Sequence, residues 1–371
     1  MDMTIVLAIA AIVAAIVLAA AAAMRYYPAF GRKAPKAQTG RYMQSANYAS
    51  GKFVNLIPTS LSTNIRDMAP LLRQYMKGNP RKKPDRPLPM ADFDVRTIRS
   101  GGQPAVTWFG HSAALLELDG KALLLDPMFG SAPSPFPAFG GKRYSGKLPF
   151  AIEQLPEIDA VILSHDHYDH LDYGTMKKLK GKVKQFIVPL GVGSHLERWG
   201  VEPGRIRQFD WWDEYDLDGI GLVCAPARHF SGRSLTDRNS TLWCSWVLQG
   251  RQARVYFSGD SGYGPHFAEI GERYGPFDFT LMECGQYNEG WAAIHMTPEE
   301  TVQAHLDVRG QAMLPIHWAA FTLALHDWTD PIERVTRRAK ERGVQVTTPR
   351  IGETVSIHRG TGEYPASAWW K

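Results

Sequence analysis

The chain has 371 residues, of which 44% are hydrophobic, 11% aromatic and 21% charged. That balance supplies a large core and excludes a disordered, collagen-like or disulfide-stapled chain. Three cysteines, Cys224, Cys244 and Cys284, with no C-x-x-C pair, make neither a disulfide framework nor a cysteine-ligated zinc site, and they fit a reducing compartment. The net charge of +5 is unevenly spread: residues 25–90 carry 13 Lys and Arg against Asp67 and Asp85, a local +11, which with Asp2 ahead of it leaves residues 91–371 at −5. Basic charge beside an apolar run points to an anionic membrane surface rather than to nucleic acid, for which no module is visible.

Taken in chain order, Met3–Met24 is a 22-residue run without a charge, rich in Ala, Ile, Val and Leu. As a helix rising ~1.5 Å per residue it spans the ~30 Å hydrocarbon layer of a bilayer. A cleaved signal is the rival expectation, because Ala19–Ala23 offers small-residue cleavage sites, but only Asp2 precedes the run where a signal wants basic residues. Residues 1–24 are therefore expected to be a retained membrane anchor. Arg25, Arg32, Lys33 and Lys36 follow at once, which by the positive-inside rule puts the rest of the chain in the cytoplasm, with a periplasmic or secreted domain as the alternative. Residues 25–90 read as a basic, proline-containing connector in contact with the anionic membrane surface. Within it Leu61–Met76 has helical spacing, and Asn79–Pro89 holds too much proline for helix or sheet.

From Ala91 to Lys371 the texture is that of one domain. Short β-type runs are expected at Ala105–Phe109, Ala113–Leu118, Ala122–Leu125, Ala160–Leu163, Gln185–Val188, Gly221–Cys224, Trp243–Leu248, Ala253–Phe257, Phe277–Met282 and Met313–Ile316. Helices are expected at Gly174–Lys180, Pro265–Tyr274, Pro298–Asp307 and Pro331–Arg342. Thr297, followed by Pro298, Glu299 and Glu300, is a strong helix start: a capping hydroxyl, proline at the first position, acids in the first turn. The class is α/β, two packed sheets with helices outside.

Ser164-His165-Asp166-His167-Tyr168-Asp169-His170 follows the strand-like Asp159–Leu163 directly. H-x-H-x-D-H sets His165 and His167 on one side of an extended backbone and brings Asp169 and His170 round after a bend. Imidazole and carboxylate are ligands that zinc accepts, and so many in one run are costly to hold together without a cation. Other ligand-type residues also stand at strand ends. His229 lies beyond the strand ending at Cys224, Asp260 ends Val255–Gly259, and His317 ends Leu314–Ile316.

These residues resemble the metallo-β-lactamase fold superfamily. Wider matches are Thr107-Trp108-Phe109-Gly110-His111-Ser112, Leu125-Asp126-Pro127, Asp210-Trp211-Trp212-Asp213-Glu214, Phe257-Ser258-Gly259-Asp260-Ser261-Gly262-Tyr263, His295-Met296-Thr297-Pro298 and Ile316-His317-Trp318. They are similar to the branch that contains the N-acylphosphatidylethanolamine-hydrolysing phospholipase D and its bacterial relatives. The resemblance runs over about residues 100–330. It implies a four-layer αβ/βα sandwich and two zinc ions, other divalent metals being possible. One ion takes His165, His167 and His229; the other takes Asp169, His170 and His317; Asp260 bridges them.

The implied chemistry is a zinc-dependent phosphodiesterase of phospholipase D type. Two metals ~3.5–4 Å apart hold a bridging hydroxide that attacks phosphorus, releasing phosphatidic acid and an N-acylethanolamine. Alternatives are a membrane-tethered hydrolase of a soluble lactone or phosphodiester, and a non-catalytic, membrane-associated metal-binding protein. Asp169, His295 and Tyr168 are the expected catalytic residues. Tyr168, inside the metal loop, and His295, similar to a family histidine beside the substrate phosphate, are expected to reach that phosphate, and Arg228 and Arg233 to face an anionic head group. His111 and Asp126 are expected to support the ligands. Two departures stand out: Ile294 where the family enzyme carries glutamine, and Cys284-Gly285-Gln286-Tyr287, which differs from the animal enzyme's loop.

Overall fold

Apolar strands whose side chains alternate between two buried faces build two seven-stranded sheets. In the computed structural model, which describes residues 2–59, 72–99, 102–139, 141–360 and 362–371, a small hairpin comes first, β1 (Tyr48–Ala49) and β2 (Lys52–Phe53). One sheet then orders β16 (Thr354–Ser356), β3 (Ala105–Trp108), β4 (Ala114–Leu118), β5 (Lys121–Leu125), β6 (Ile158–Ile162), β7 (Val183–Pro189) and β8 (Ile206–Phe209). The other orders β15 (Gln345–Val346), β14 (Gly310–Ile316), β13 (Phe277–Glu283), β12 (Arg254–Phe257), β11 (Ser245–Gln249), β10 (Ile220–Ala225) and β9 (Glu214–Leu217).

Alternation along the strands shows why the runs read as continuously apolar. On β4 and β5, Leu116, Leu123 and Leu125 point into the core between the sheets, while Leu115 and Leu124 point into a second core under the outer helices. On β6 all five residues are buried, Ala160 and Ile162 on one face and Val161 on the other. Both faces must be covered, which gives the layered αβ/βα sandwich of the metallo-β-lactamase fold.

The strands β5 to β8 run parallel, as do β12 to β15. Strand β10 pairs antiparallel with β11, and β11 with β12, so β10 points the same way as β12. The carboxyl ends of β10, β12, β13 and β14 therefore share one edge of their sheet.

Each expected strand and helix falls on an observed one with small shifts of boundary. The short strands β1, β2, β8, β9, β15 and β16 and the helices Lys36–Tyr42 and Gly193–Arg198 were not expected. Ile206–Phe209 and Glu214–Leu217 are border strands with exposed polar residues, so their sequences carry no apolar run. The helix Pro298–Asp307 begins with the expected cap: Thr297 Oγ1 accepts from Glu300 N at 3.3 Å, and the Glu300 carboxylate accepts from Thr297 N at 2.9 Å.

The amino-terminal helix, Met3–Tyr26, buries none of its residues and is long and apolar enough to cross a membrane. The segment after it is no free connector. Tyr42 and Phe53 are buried in the inter-sheet core, Phe53 N donates to Asn239 O, and Leu88 N donates to Tyr144 O. Aromatic rings with core to fill pull the chain onto the domain, whatever its net charge. Residues 61–71 of the expected 61–76 helix lie outside the described residues, and residues 72–77 are helical.

Replacing Thr297 by Ala removes one half of the capping box. Stability is expected to fall by about 1 kcal/mol, read as a lower urea midpoint at unchanged slope.

Candidate metal centre

Strand ends deliver the ionisable groups. Asp126 follows β5, His165 follows β6, His229 lies beyond β10, Asp260 lies beyond β12, Glu283 closes β13 and His317 follows β14. After His167 the chain turns at once, Leu171 N donating to His167 O at 2.8 Å, and this turn returns Asp169 and His170 to the edge. Three of the residues here, His111, Asp126 and His317, adopt positive φ of 55°, 37° and 67°. Such strain in non-glycine residues persists where the surroundings impose it, and it gathers at functional sites.

The ligand atoms converge in two groups. His165 Nε2 and His229 Nε2 stand 2.9 and 3.2 Å from His167 Nδ1. Asp169 Oδ2 stands 3.2 Å from His317 Nε2 and 3.4 Å from His170 Nε2. Between them lies Asp260, whose Oδ2 is 3.1 Å from both His170 Nε2 and His317 Nε2, and 3.8 and 3.9 Å from His229 Nε2 and His165 Nε2.

Asp260 Oδ1 is buried and meets no donor among the described residues. A buried acceptor without a partner costs ~1–3 kcal/mol, more when charged, and a cation is the natural partner for it. The donor set is nitrogen and carboxylate oxygen only, which suits zinc, iron or manganese. The residues present fit a metal centre.

The far nitrogens are held as a metal site requires. His170 Nδ1 is 2.7 Å from Asp126 Oδ2, His229 Nδ1 donates to Ile294 O at 2.9 Å, and His165 Nδ1 is 2.9 Å from Ser164 Oγ. Asp126 in turn accepts from Ser164 N. His111 Nε2 lies 2.8 Å from Asp169 Oδ2 and orients that carboxylate. Each contact fixes a tautomer or a rotamer and so aims the opposite atom.

Burial pulls His170 toward neutrality, but the carboxylates of Asp260, Asp169 and Asp126 outweigh it, so its pKa stands well above the ordinary range. The same opposition pushes His317 up to about 10. Asp260 is driven up by burial and pulled further down by His170 and His317, so it remains a carboxylate. His165 and His229 are held well below their usual values, first by burial and then by neighbouring imidazoles. A field that raises an imidazole beside three acids is one that favours a cation, and metal binding displaces the proton.

Two residues that the sequence reading passed over belong to the centre. Glu283 is fully buried, with Oε2 3.0 Å from His295 Nδ1 and Oε1 accepting from Met296 N at 2.8 Å. Its position at a strand end, like that of His317, is the signal that would have found it. Asp166 is buried under the metal loop and takes Gly232 N at 2.8 Å, Thr241 Oγ1 at 3.0 Å and His195 Nε2 at 3.2 Å. Nothing local in the sequence marks it as structural rather than as a ligand.

Three expectations are corrected. The Tyr168 hydroxyl donates to Arg233 O at 2.6 Å, and its ring lies under the Arg233 guanidinium at 4.1 Å, on the far side of the metal loop. Arg228 turns to Thr59 Oγ1 and Tyr263 O, away from the ligands. Arg233 is buried and faces no head group: it donates to Ala29 O, Asp166 O and Leu171 O. Unmet backbone carbonyls close at hand claimed all three side chains. His295 does stand at the centre, its ring 5.2 Å from that of His317 and 5.0 Å from that of His229.

The centre floors a cavity of about 280 Å3. His167, Asp169, Asp260, His295 and His317 form its base, and Phe230, Gln286, Trp291, Ile294 and Leu323 form its walls.

Sequence and structure comparisons identify the family and the fold. The profile of the beta-lactamase superfamily domain matches residues 121–318, just over half the chain. The chain belongs to the metallo-β-lactamase superfamily, and its function is that of a metal-dependent hydrolase. It is 44% identical over 333 residues to protein Rv0906 of Mycobacterium tuberculosis, covering 88% of each chain. It is 32% identical over 257 residues to N-acyl-phosphatidylethanolamine-hydrolyzing phospholipase D 1 of Caenorhabditis elegans, covering 66% of this chain and 72% of that one. The solved structure of Igni18, a metallo hydrolase from Ignicoccus hospitalis, shares the fold with a TM-score of 0.53 at 22% identity, over 69% of this chain and 99% of that one.

Loss of an orienting carboxylate tests the centre. Asp126→Ala is expected to lower metal affinity or turnover ~10–100-fold. Glu283→Ala is expected to lower turnover with a smaller loss of metal, because Glu283 bonds His295 rather than a converging ligand atom. Metal content by mass spectrometry, read beside the rate, separates the two.

Proposed function

We propose that the chain is a binuclear, zinc-type phosphodiesterase that cleaves N-acylphosphatidylethanolamine, or a related membrane phospholipid, in the manner of a phospholipase D. His165, His167 and His229 would hold one cation, Asp169, His170 and His317 the other, with Asp260 between them. When bound, the cations would supply positive charge for the phosphate oxygens and an acidified water. The P–O bond to the N-acylethanolamine would break, leaving phosphatidic acid.

The observation that carries this reading is the cavity wall. Phe230, Trp291, Ile294 and Leu323 surround the metal ligands, and no Lys or Arg is among the described lining residues. Beyond the histidines of the floor, a soluble anion would find no cationic side chain there. A phosphodiester with apolar tails would find apolar walls above a cationic floor. The relative from C. elegans at 32% identity supports the same class of substrate.

The chain's own groups have distinct tasks. With Nδ1 held by Glu283, His295 offers its other nitrogen to a phosphate oxygen or to the departing alkoxide. Burial pushes the Glu283 carboxyl up, against the pull of His295. Ile294 orients His229 through its backbone carbonyl, so a side-chain change there alters the wall and leaves the ligand bond in place.

The test is product analysis by mass spectrometry on N-acylphosphatidylethanolamine in mixed micelles, with metal-replete and chelator-stripped protein. Metal-dependent release of N-acylethanolamine with phosphatidic acid is expected. Intact lipid beside hydrolysis of a soluble lactone or phosphodiester would discard the lipid substrate and keep the centre. Asp260→Asn is expected to abolish turnover and loosen metal; an active, fully metallated variant would refute the bridging role.

A further inference from the structure

The chain that leaves the amino-terminal helix is gripped by the domain at once. Arg198 donates through Nη2 to Arg25 O and Tyr26 O at 3.0 Å and through Nη1 to Gly31 O. Trp199 Nε1 donates to Pro28 O at 2.7 Å, Arg233 Nη2 to Ala29 O at 2.7 Å, and Arg32 N to His195 Nδ1 at 2.9 Å. Gly31, at φ +69°, lies so close to the His195 ring that a Cβ would stand 2.0 Å from Nδ1. A helix end held through its backbone carbonyls cannot swivel freely on a tether, so the direction of the helix sets which face of the domain meets the bilayer.

Two loops flank this exit. Phe136 stacks on Tyr27 at 5.0 Å and meets Phe30 edge-on at 5.8 Å, which brings the loop of residues 131–139 against it. Thr236 O accepts from Lys33 Nζ at 2.7 Å, which brings up the loop of residues 232–238. In these loops Phe139 is 89% exposed and Leu235 91% exposed, and at the helix end Tyr26 is 72% exposed. Large apolar side chains this bare, adjoining an apolar helix and bordered by Arg25, Lys33 and Arg198, have the composition of a membrane interface: apolar groups for the acyl boundary, aromatic rings and cations for the head groups.

We propose that this face, built from Phe139 and Leu235 around the helix exit, docks on the surface of a bilayer that carries anionic lipid. It rests on the reading of Met3–Tyr26 as a membrane anchor. The loop of residues 232–238 continues from His229 and Phe230 at the metal centre, so docking there places the centre a few residues of chain from the lipid surface.

The test uses the full chain reconstituted in phosphatidylcholine vesicles containing phosphatidylglycerol. The native cysteines Cys224, Cys244 and Cys284 are all buried, so F139C and L235C can be labelled selectively with an environment-sensitive fluorophore. D218C is the control. Asp218 is 71% exposed and pairs with Lys121, which starts the strand whose other end is the Asp126 edge, so it lies away from the centre. Labels at 139 and 235 are expected to shift to the blue and to lose emission about twofold to spin-labelled lipid, as for groups ~5–10 Å into the head-group layer. The label at 218 is expected to do neither. A chain that does not float with vesicles overturns the anchor and the docking face together. A chain that floats with all three labels alike overturns the docking face alone. A shift that follows protein concentration in detergent, without lipid, puts a second copy on this face and also overturns the assignment.

Discussion

The structure depends on gathering buried charge where strand ends of the two sheets meet. Asp126, Asp169, Asp260 and Glu283 stand there with His165, His170, His229 and His317, all of them buried. Removing such groups from water costs several kcal/mol per ion unless each finds a partner. Partners are supplied by the ends of parallel strands, which bring residues distant in sequence within ~4 Å of one another, close enough for their charges to interact strongly. Positive φ at His111, Asp126 and His317 is part of what holding that arrangement requires. What the protein leaves unmet, Asp260 Oδ1 above all, is what a cation completes.

Around the centre, the supporting groups form a continuous mesh. Asp126 joins β5 to the metal loop through Ser164 and His170, and Glu283 joins β13 to the start of the helix Pro298–Asp307 through Met296. Asp166 joins the loop to Gly232, Thr241 and His195. His195 and Arg233 then carry the mesh out to the chain leaving the amino-terminal helix. Helix exit and metal loop are thus two sides of one packed structure. The fully buried Arg233 guanidinium, donating to carbonyls of both, is the junction.

Substrate choice has a different physical basis from metal binding. Ligand residues of this kind serve many hydrolases, so the centre defines a class of chemistry and not a substrate. Discrimination falls to the wall, where Phe230, Trp291, Ile294 and Leu323 offer apolar surface and where neither Arg228 nor Arg233 intrudes. Gln286 lines the same cavity but is committed: its Oε1 accepts from Leu323 N and Ala324 N, and its Nε2 donates to Phe321 O. It shapes the wall by holding the loop of residues 321–324 and keeps little capacity for a ligand.

Most of what depends on neighbours along the chain was legible in the sequence. Apolar alternation marked the central strands, Thr297-Pro298-Glu299-Glu300 marked a helix start, and His165-x-His167-x-Asp169-His170 marked a metal loop because one turn brings its ligands together. His229, Asp260 and His317 were legible as strand ends, since a strand end in an α/β sheet is where a site can form. Tertiary structure alone decided the rest. It turned Tyr168, Arg228 and Arg233 away from the centre, because buried carbonyls of distant segments needed donors. It placed Glu283 beneath His295, made a prop of Asp166, and packed Tyr42 and Phe53 from a basic stretch into the core. The dividing line is physical: local sequence sets where backbone and ligands can stand, while the direction of a long or charged side chain is set by the unmet polar group that folding brings nearest.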